Sequence, residues 1–185
     1  FIQESKVEYE KSIENFNYAL KLINEDSVSY ADILYRRGGS YERMKDYKNA
    51  DKDLLLSLKL NPDQPYVLNY LAYSWLERKI KIDQSMKMLL KAYEQKQSDP
   101  YIIDSVGWAY YLTEDYESAE RYLKKALLIM PEDPIVNDHY GDVMWKLDKK
   151  LQANYYWNAV LSSDEAGDEL KETINNKLLF GLTNM

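Results

Sequence analysis

The sequence predicts an all-α chain of antiparallel helix pairs stacked into a solenoid. Three observations carry that prediction. A small residue recurs every 34 or 35 positions, its neighbours follow helical three- and four-residue spacing, and Asp and Pro punctuate the units. The small residues are Gly38, Ala72, Gly107 and Gly141. Three positions after each comes a large side chain: Tyr41, Trp75, Tyr110 and Met144. Four positions before each stand Leu34, Leu68, Ile103 and Asn137.

The second half of each unit repeats as well. A small column, Ala50, Ser85, Ala119 and Ala153, leads four residues later to Leu54, Leu89, Leu123 and Trp157. Three further on lie Ser57, Ala92, Ala126 and Val160. The spacing belongs to a helix, not a strand. Two antiparallel helices joined by a short turn approach closely only if one side chain at the crossing is nearly absent, which assigns Gly38, Ala72, Gly107 and Gly141 to packing.

Punctuation agrees with the period. "NPDQP", "SDP" and "PEDP" separate the units, and Asp99-Pro100 and Asp133-Pro134 each place a capping Asp before a Pro suited to the first helical position. Asp46-Tyr47 and Asp115-Tyr116 mark the start of second helices.

These residues resemble the tetratricopeptide repeat (TPR) family, whose 34-residue pattern runs large residue, Gly or Ala, Tyr, Ala, Phe-like residue, Ala, Pro. Residues 100–133 carry the fullest match, with Ile103, Gly107, Tyr110, Ala119, Leu123, Ala126 and Pro131. Residues 31–64 follow with Leu34, Gly38, Tyr41, Ala50, Leu54 and Pro62. Residues 65–99 depart by one extra residue near "ERKIKIDQ", which predicts a longer inter-helix turn. Residues 134–165 end on Glu165 where the family has Pro. The resemblance implies a right-handed superhelix, an α-solenoid.

At the ends, Ser12, Phe16 and Ala19 repeat the second-helix columns, so residues 1–24 are expected to be a partial repeat, mainly its second helix. On that reading the chain begins inside a repeat and continues upstream. Residues 27–30 are expected to be a small insertion. Downstream, Leu170, Ile174 and Leu178 share a helical stripe, and residues 167–182 are expected to cap the stack. A swapped or dimerising helix is the rival reading of that segment.

Composition narrows the function. Of 185 residues, 45% are hydrophobic and 30% charged, enough for a real core under a soluble surface. Tyr is used 18 times against 3 Phe, so rings with a hydroxyl are favoured. A net charge of −7 without a basic run argues against nucleic acid as partner. No apolar stretch reaches the roughly 20 residues that span a bilayer, so direct membrane insertion is not expected. With no Cys and one His, disulfides and thiolate or His-rich metal sites are excluded. Asp138 and Asp142, one turn apart beside His139, could make only a weak divalent-ion site, and a solvated helix face is the commoner meaning of such a pair. No Gly-rich phosphate loop and no Ser in a nucleophile elbow appear, so neither an enzyme nor a cofactor is expected.

The family resemblance implies that first helices line a concave groove. The expected outward stripe contains Asp32, Tyr35, Gly39 and Glu42, then Tyr66, Asn69, Tyr73 and Leu76. Next come Tyr101, Asp104, Trp108 and Tyr111, and finally Ile135, Asp138, Asp142 and Trp145. Tyr35, Tyr66, Asn69, Tyr73, Tyr101, Asp104, Trp108, Asp138 and Asp142 form the candidate binding set, an aromatic and acidic surface suited to a peptide with apolar anchors and some Lys or Arg. For Tyr73 and Trp108 simple packing is an equal alternative, and Tyr111 and Trp145 read as packing. The family's chaperone carboxylate clamp is excluded. Its places hold Tyr35, Gly39, Tyr70, Tyr101 and Ser105, or one unit later Asn69, Tyr73, Ser105, Ile135 and His139. The leading function is an adaptor that binds a peptide segment of a partner protein. The alternatives are self-assembly into a homo-oligomer through terminal helices, or a scaffold region of a larger protein. The motifs "DSVGWAYY" and "NDHYGDVMW" resemble proteobacterial TPR adaptors, which leaves compartment open between cytoplasm and cell envelope.

Overall fold

The computed structural model describes residues 2–182, with side chains described from residue 6 onward. Ten α-helices and no strand are found among the described residues. Two compact units divide the chain, Phe1–Gln95 and Lys96–Met185.

The first unit holds α1 (Ile2–Leu20), α2 (Val28–Arg43), α3 (Tyr47–Leu60), α4 (Pro65–Glu77) and α5 (Ile82–Gln95). Here α1 packs on α2, α2 on α3, and α4 on α5. Leu54, Val67, Leu71 and Trp75 form one buried cluster, with Tyr35 and Tyr70 packed against it. Arg37 of α2 ties three helices together. Its guanidinium donates to both Asp53 oxygens on α3, at 2.6 and 2.8 Å, and to Asn17 Oδ1 on α1 at 2.6 Å. The second unit holds α6 (Pro100–Leu112), α7 (Tyr116–Ile129), α8 (Pro134–Lys146), α9 (Lys150–Ser162) and α10 (Asp168–Phe180). Pairs α6–α7 and α8–α9 repeat the same arrangement, and α10 lies on α9. Trp157, Val160, Met144 and Ile174 are central to this core.

Local chemistry explains the boundaries. Asp99 and Asp133 cap α6 and α8 with Pro at the first turn, and Asp46 and Asp115 cap α3 and α7. Within each pair the turn closes on a non-glycine residue in the left-handed region: Lys45, Lys79, Glu114 and Asp148. The amide after each bonds back to a carbonyl in the last helical turn, as in Asp46 N to Tyr41 O at 2.9 Å and Asp115 N to Tyr110 O at 3.0 Å. The α4–α5 turn carries one extra residue, with Lys81 also at positive φ. Residues 27–30, expected as a small insertion, are helical: they form the cap and an added first turn of α2. Ser27 caps α2 by accepting from Tyr30 N at 3.1 Å, and Val28 opens the helix.

The close crossings are geometric facts. A Cβ on Gly107 would lie 2.6 Å from Leu123 Cγ and 3.1 Å from the Leu123 backbone nitrogen. On Gly141 it would lie 2.5 Å from Trp157 Cδ1, and on Gly38 2.9 Å from Leu54 Cγ. Gly107→Leu is therefore expected to overpack the α6–α7 crossing and to lower stability by about 1–3 kcal/mol. A urea midpoint equal to that of the unsubstituted chain would refute this packing role.

Candidate functional site

Two groupings of side chains come from the expected binding set, one in each unit. In the first unit, α2 and α4 present tyrosines. The Tyr35 and Tyr70 rings meet edge to face with centroids 5.9 Å apart. The Tyr70 hydroxyl donates to Glu42 Oε2 at 3.1 Å and lies 3.5 Å from the Gly39 carbonyl oxygen. Burial, then the Glu42 charge, pushes that hydroxyl's pKa well above its ordinary value. Burial likewise raises Tyr35. Tyr66 remains 47% exposed, one turn before Tyr70, while Tyr73 is half-buried. Asn69 lies between them, and its buried side-chain oxygen accepts no hydrogen bond.

In the second unit the expected acidic stripe lies elsewhere than in solvent. Asp104 is 6% exposed, Asp138 9% and Asp142 4%. Each is compensated by a neighbour. His139 Nδ1 lies 3.0 Å from both Asp104 oxygens. Lys177 of α10 donates to Asp138 Oδ1 at 2.6 Å and to the two Asp142 oxygens at 2.7 and 2.9 Å. Trp157 Nε1 donates to Asp142 Oδ1 at 3.0 Å. Trp108 is half-buried, stacked on His139 at 4.1 Å on one face and on Tyr111 at 4.6 Å. Tyr101, on the first turn of α6, is exposed.

Charge sets the protonation states. Burial by itself would pull His139 down, but the charge of Asp104 and its hydrogen bond, then Asp138 and Asp142, push it up to about 9. Burial, then Asp138, pushes Asp142 up to about 6 against the opposing pull of Lys177 and His139. Burial by itself would lower Lys177, but Asp142 and Asp138 outweigh it and raise the ammonium's pKa. An ammonium thus fills the place between Asp138 and Asp142 where a divalent ion would have to sit. Lys177 is the member that repeat columns do not show. Its one sequence signal is position: it falls three residues after Ile174, on the edge of the apolar stripe.

The tetratricopeptide repeat profile matches residues 31–64 and 104–133. The TPR repeat-containing protein PA4667 of Pseudomonas aeruginosa is 32% identical over 133 residues, 72% of this chain. This chain is a tetratricopeptide-repeat protein. It covers 22% of that relative's length. Among solved structures, TTC0263, a thermophilic TPR protein of Thermus thermophilus, superposes with a TM-score of 0.75 at 17% identity, covering 97% of this chain and 100% of that one. A TPR protein of Parabacteroides merdae gives 0.73 at 16% identity, covering 97% and 69%. At such identities the superpositions establish the all-α TPR fold alone. TPR proteins are generally non-catalytic scaffolds, and at the coarse level this chain is a protein–protein interaction repeat protein. No helix among the described residues is long and apolar enough to cross a membrane.

Proposed function

We propose that this TPR chain is an adaptor that captures a peptide segment of a partner protein on the first helices of its pairs, with α2 and α4 as the principal contact. The observation that carries this reading is the 47% exposed ring of Tyr66 on α4, one turn before half-buried Asn69 and Tyr70. An apolar or cationic anchor of the peptide covers that ring. Exposed Asp32 and half-buried Glu42 on α2, with a chain charge of −7, favour peptides that carry Lys or Arg. Asp104, Asp138, Asp142 and Trp108 act in this reading as supports, since their charges and faces are engaged inside the second unit. In the same proposal α4–α5 and α8–α9 are further repeats at 65–99 and 134–165, α1 is the second helix of a partial repeat, and α10 is a terminal cap.

The test is selection of binders from a displayed random-peptide library on the immobilised chain, followed by variants against the best peptide. Asn69→Ala and Tyr66→Ala are each expected to weaken binding by about tenfold, and exposed Tyr155→Ala to leave it unchanged. Full affinity in both α4 variants would place the peptide elsewhere.

A further inference from the structure

The second unit holds a pocket of about 260 Å³ where the first turn of α6, the α7–α8 link and the α9–α10 link meet. Its walls are Tyr101, Met130, Pro131, Glu132, Asp133 and Glu165. Small-molecule sites run to roughly 300–1,000 Å³, so this one has the size for a single long side chain. Tyr101 is the member of the expected binding set that the α2 and α4 face leaves unused, and its ring is 63% exposed.

Charge narrows the occupant. Residues 1–95 hold 15 Lys and Arg against 15 Asp and Glu, whereas residues 96–185 hold 9 against 16, so the whole net charge of −7 falls on the second unit. No Lys or Arg occurs between Lys125 and Lys146 or between Lys150 and Lys171, the stretches that carry the three carboxylates of the pocket. None of the ion pairs among the described residues involves Glu132, Asp133 or Glu165. Asp133 uses Oδ1 to cap α8, accepting from the Ile135 and Val136 amides at 2.9 and 3.0 Å, which leaves Oδ2 for another donor. A concave wall of one sign focuses the field on whatever enters it. No group of three or more His, Asp or Glu side chains among the described residues is placed to hold a metal ion. The pocket therefore suits a broader cation, one that also covers a ring and apolar surface. Arginine meets each demand. Its guanidinium is planar and stacks on an aromatic face, its fork of donors reaches carboxylates, and its methylenes lie along surfaces such as Met130 and Pro131.

We propose that this pocket receives an arginine side chain presented by a partner protein, with the guanidinium against Tyr101 and between the Glu132 and Glu165 carboxylates. The pocket belongs to the second unit alone, so it stands or falls separately from the peptide face on α2 and α4.

The test titrates the full chain with the peptide acetyl-Gly-Ser-Arg-Ser-Gly-amide and with the same peptide carrying citrulline, which keeps the shape and loses the charge. Amide chemical shifts report where each one binds. Saturable shifts at Tyr101, Glu132 and Glu165 are expected with the arginine peptide, with binding at least about fivefold tighter than that of the citrulline peptide. Tyr101→Ala is expected to weaken capture by about threefold, and Glu132→Gln/Glu165→Gln by about fivefold. The three side chains are exposed, so the variants keep the fold. Equal binding of the two peptides, no saturable shift at these residues up to about 10 mM arginine peptide, or arginine binding untouched in both variants overturns the proposal. Shifts confined to α2 and α4 overturn it as well, while leaving the face on those helices in place.

Discussion

Lys177→Met is expected to weaken the attachment of α10 by about 3–5 kcal/mol, the range for breaking a buried ion pair from one side. The methionine keeps most of the volume, so the loss is electrostatic. Asp138 and Asp142 are left facing each other in the core with only His139 and the Trp157 N–H to balance them. The cluster answers by taking up a proton. Asp142, already pushed up to about 6, rises further once Lys177 is gone. The destabilisation is therefore larger at pH 8 than at pH 5, because near pH 5 the carboxylate pair holds a proton and repels less. Restoring neutrality by chemistry is expected to recover part of the loss: Lys177→Met with Asp142→Asn is more stable than Lys177→Met alone. Urea denaturation followed by Trp fluorescence reads all three chains, since Trp145 and Trp157 border the cluster. A Lys177→Met midpoint within error of the unsubstituted chain at pH 8 would show that the ammonium contributes nothing.

The sequence made the fold legible because repetition samples the same physics several times. Gly38, Gly107 and Gly141 recur where one helix crosses another, and each faces the large residue predicted from the second-helix column: Leu54, Leu123 and Trp157. Caps were readable for the same reason. Asp99 and Asp133 precede prolines whose missing N–H costs nothing at the first helical turn. The helical state of residues 27–30 was not legible, for a physical reason. Ser27 caps a helix that starts ahead of the 34-residue period, and a period reports only what repeats. The electrostatics were less legible. Asp104, Asp138 and Asp142 were expected on an outward stripe, and a helical stripe alone does not say what covers it. Their cations come from His139, 35 residues from Asp104, and from Lys177, 39 residues from Asp138. The first pairing lies about one repeat apart, but a column says which residue types recur and not which side chains of adjacent repeats meet, and the second follows no period, so no column predicted either. Asn69 was placed in the binding set by spacing, but its unsatisfied oxygen is visible only once the helices pack around it.

His139 makes stability depend on pH in a way that separates it from the carboxylates. Its folded pKa of about 9 lies above the ordinary value of 6.5. The folded chain therefore binds the proton more tightly than the unfolded one, and the stabilisation is fully present below about pH 6.5. It is lost as pH rises through about 9. A shift of this size corresponds to roughly 3 kcal/mol between those limits. Asp104 faces the ring directly, Asp138 and Asp142 lie on the same helix, Lys177 joins that pair from α10, and Trp108 stacks on the imidazole. Removing the proton leaves Asp104 buried beside a neutral ring. Asp142 also binds its proton more tightly in the folded chain, but its window runs from the ordinary 3.8 to about 6 and is over before that of His139 begins. Other groups of the unfolded chain begin to titrate above this range, so the decisive quantity is a difference. The stability of the unsubstituted chain minus that of His139→Gln should shrink by about 3 kcal/mol between about pH 6.5 and about 9.5, read from urea midpoints across the range. A difference that stays constant would mean that His139 is neutral in the folded chain and that Asp104 is held by hydrogen bonding alone.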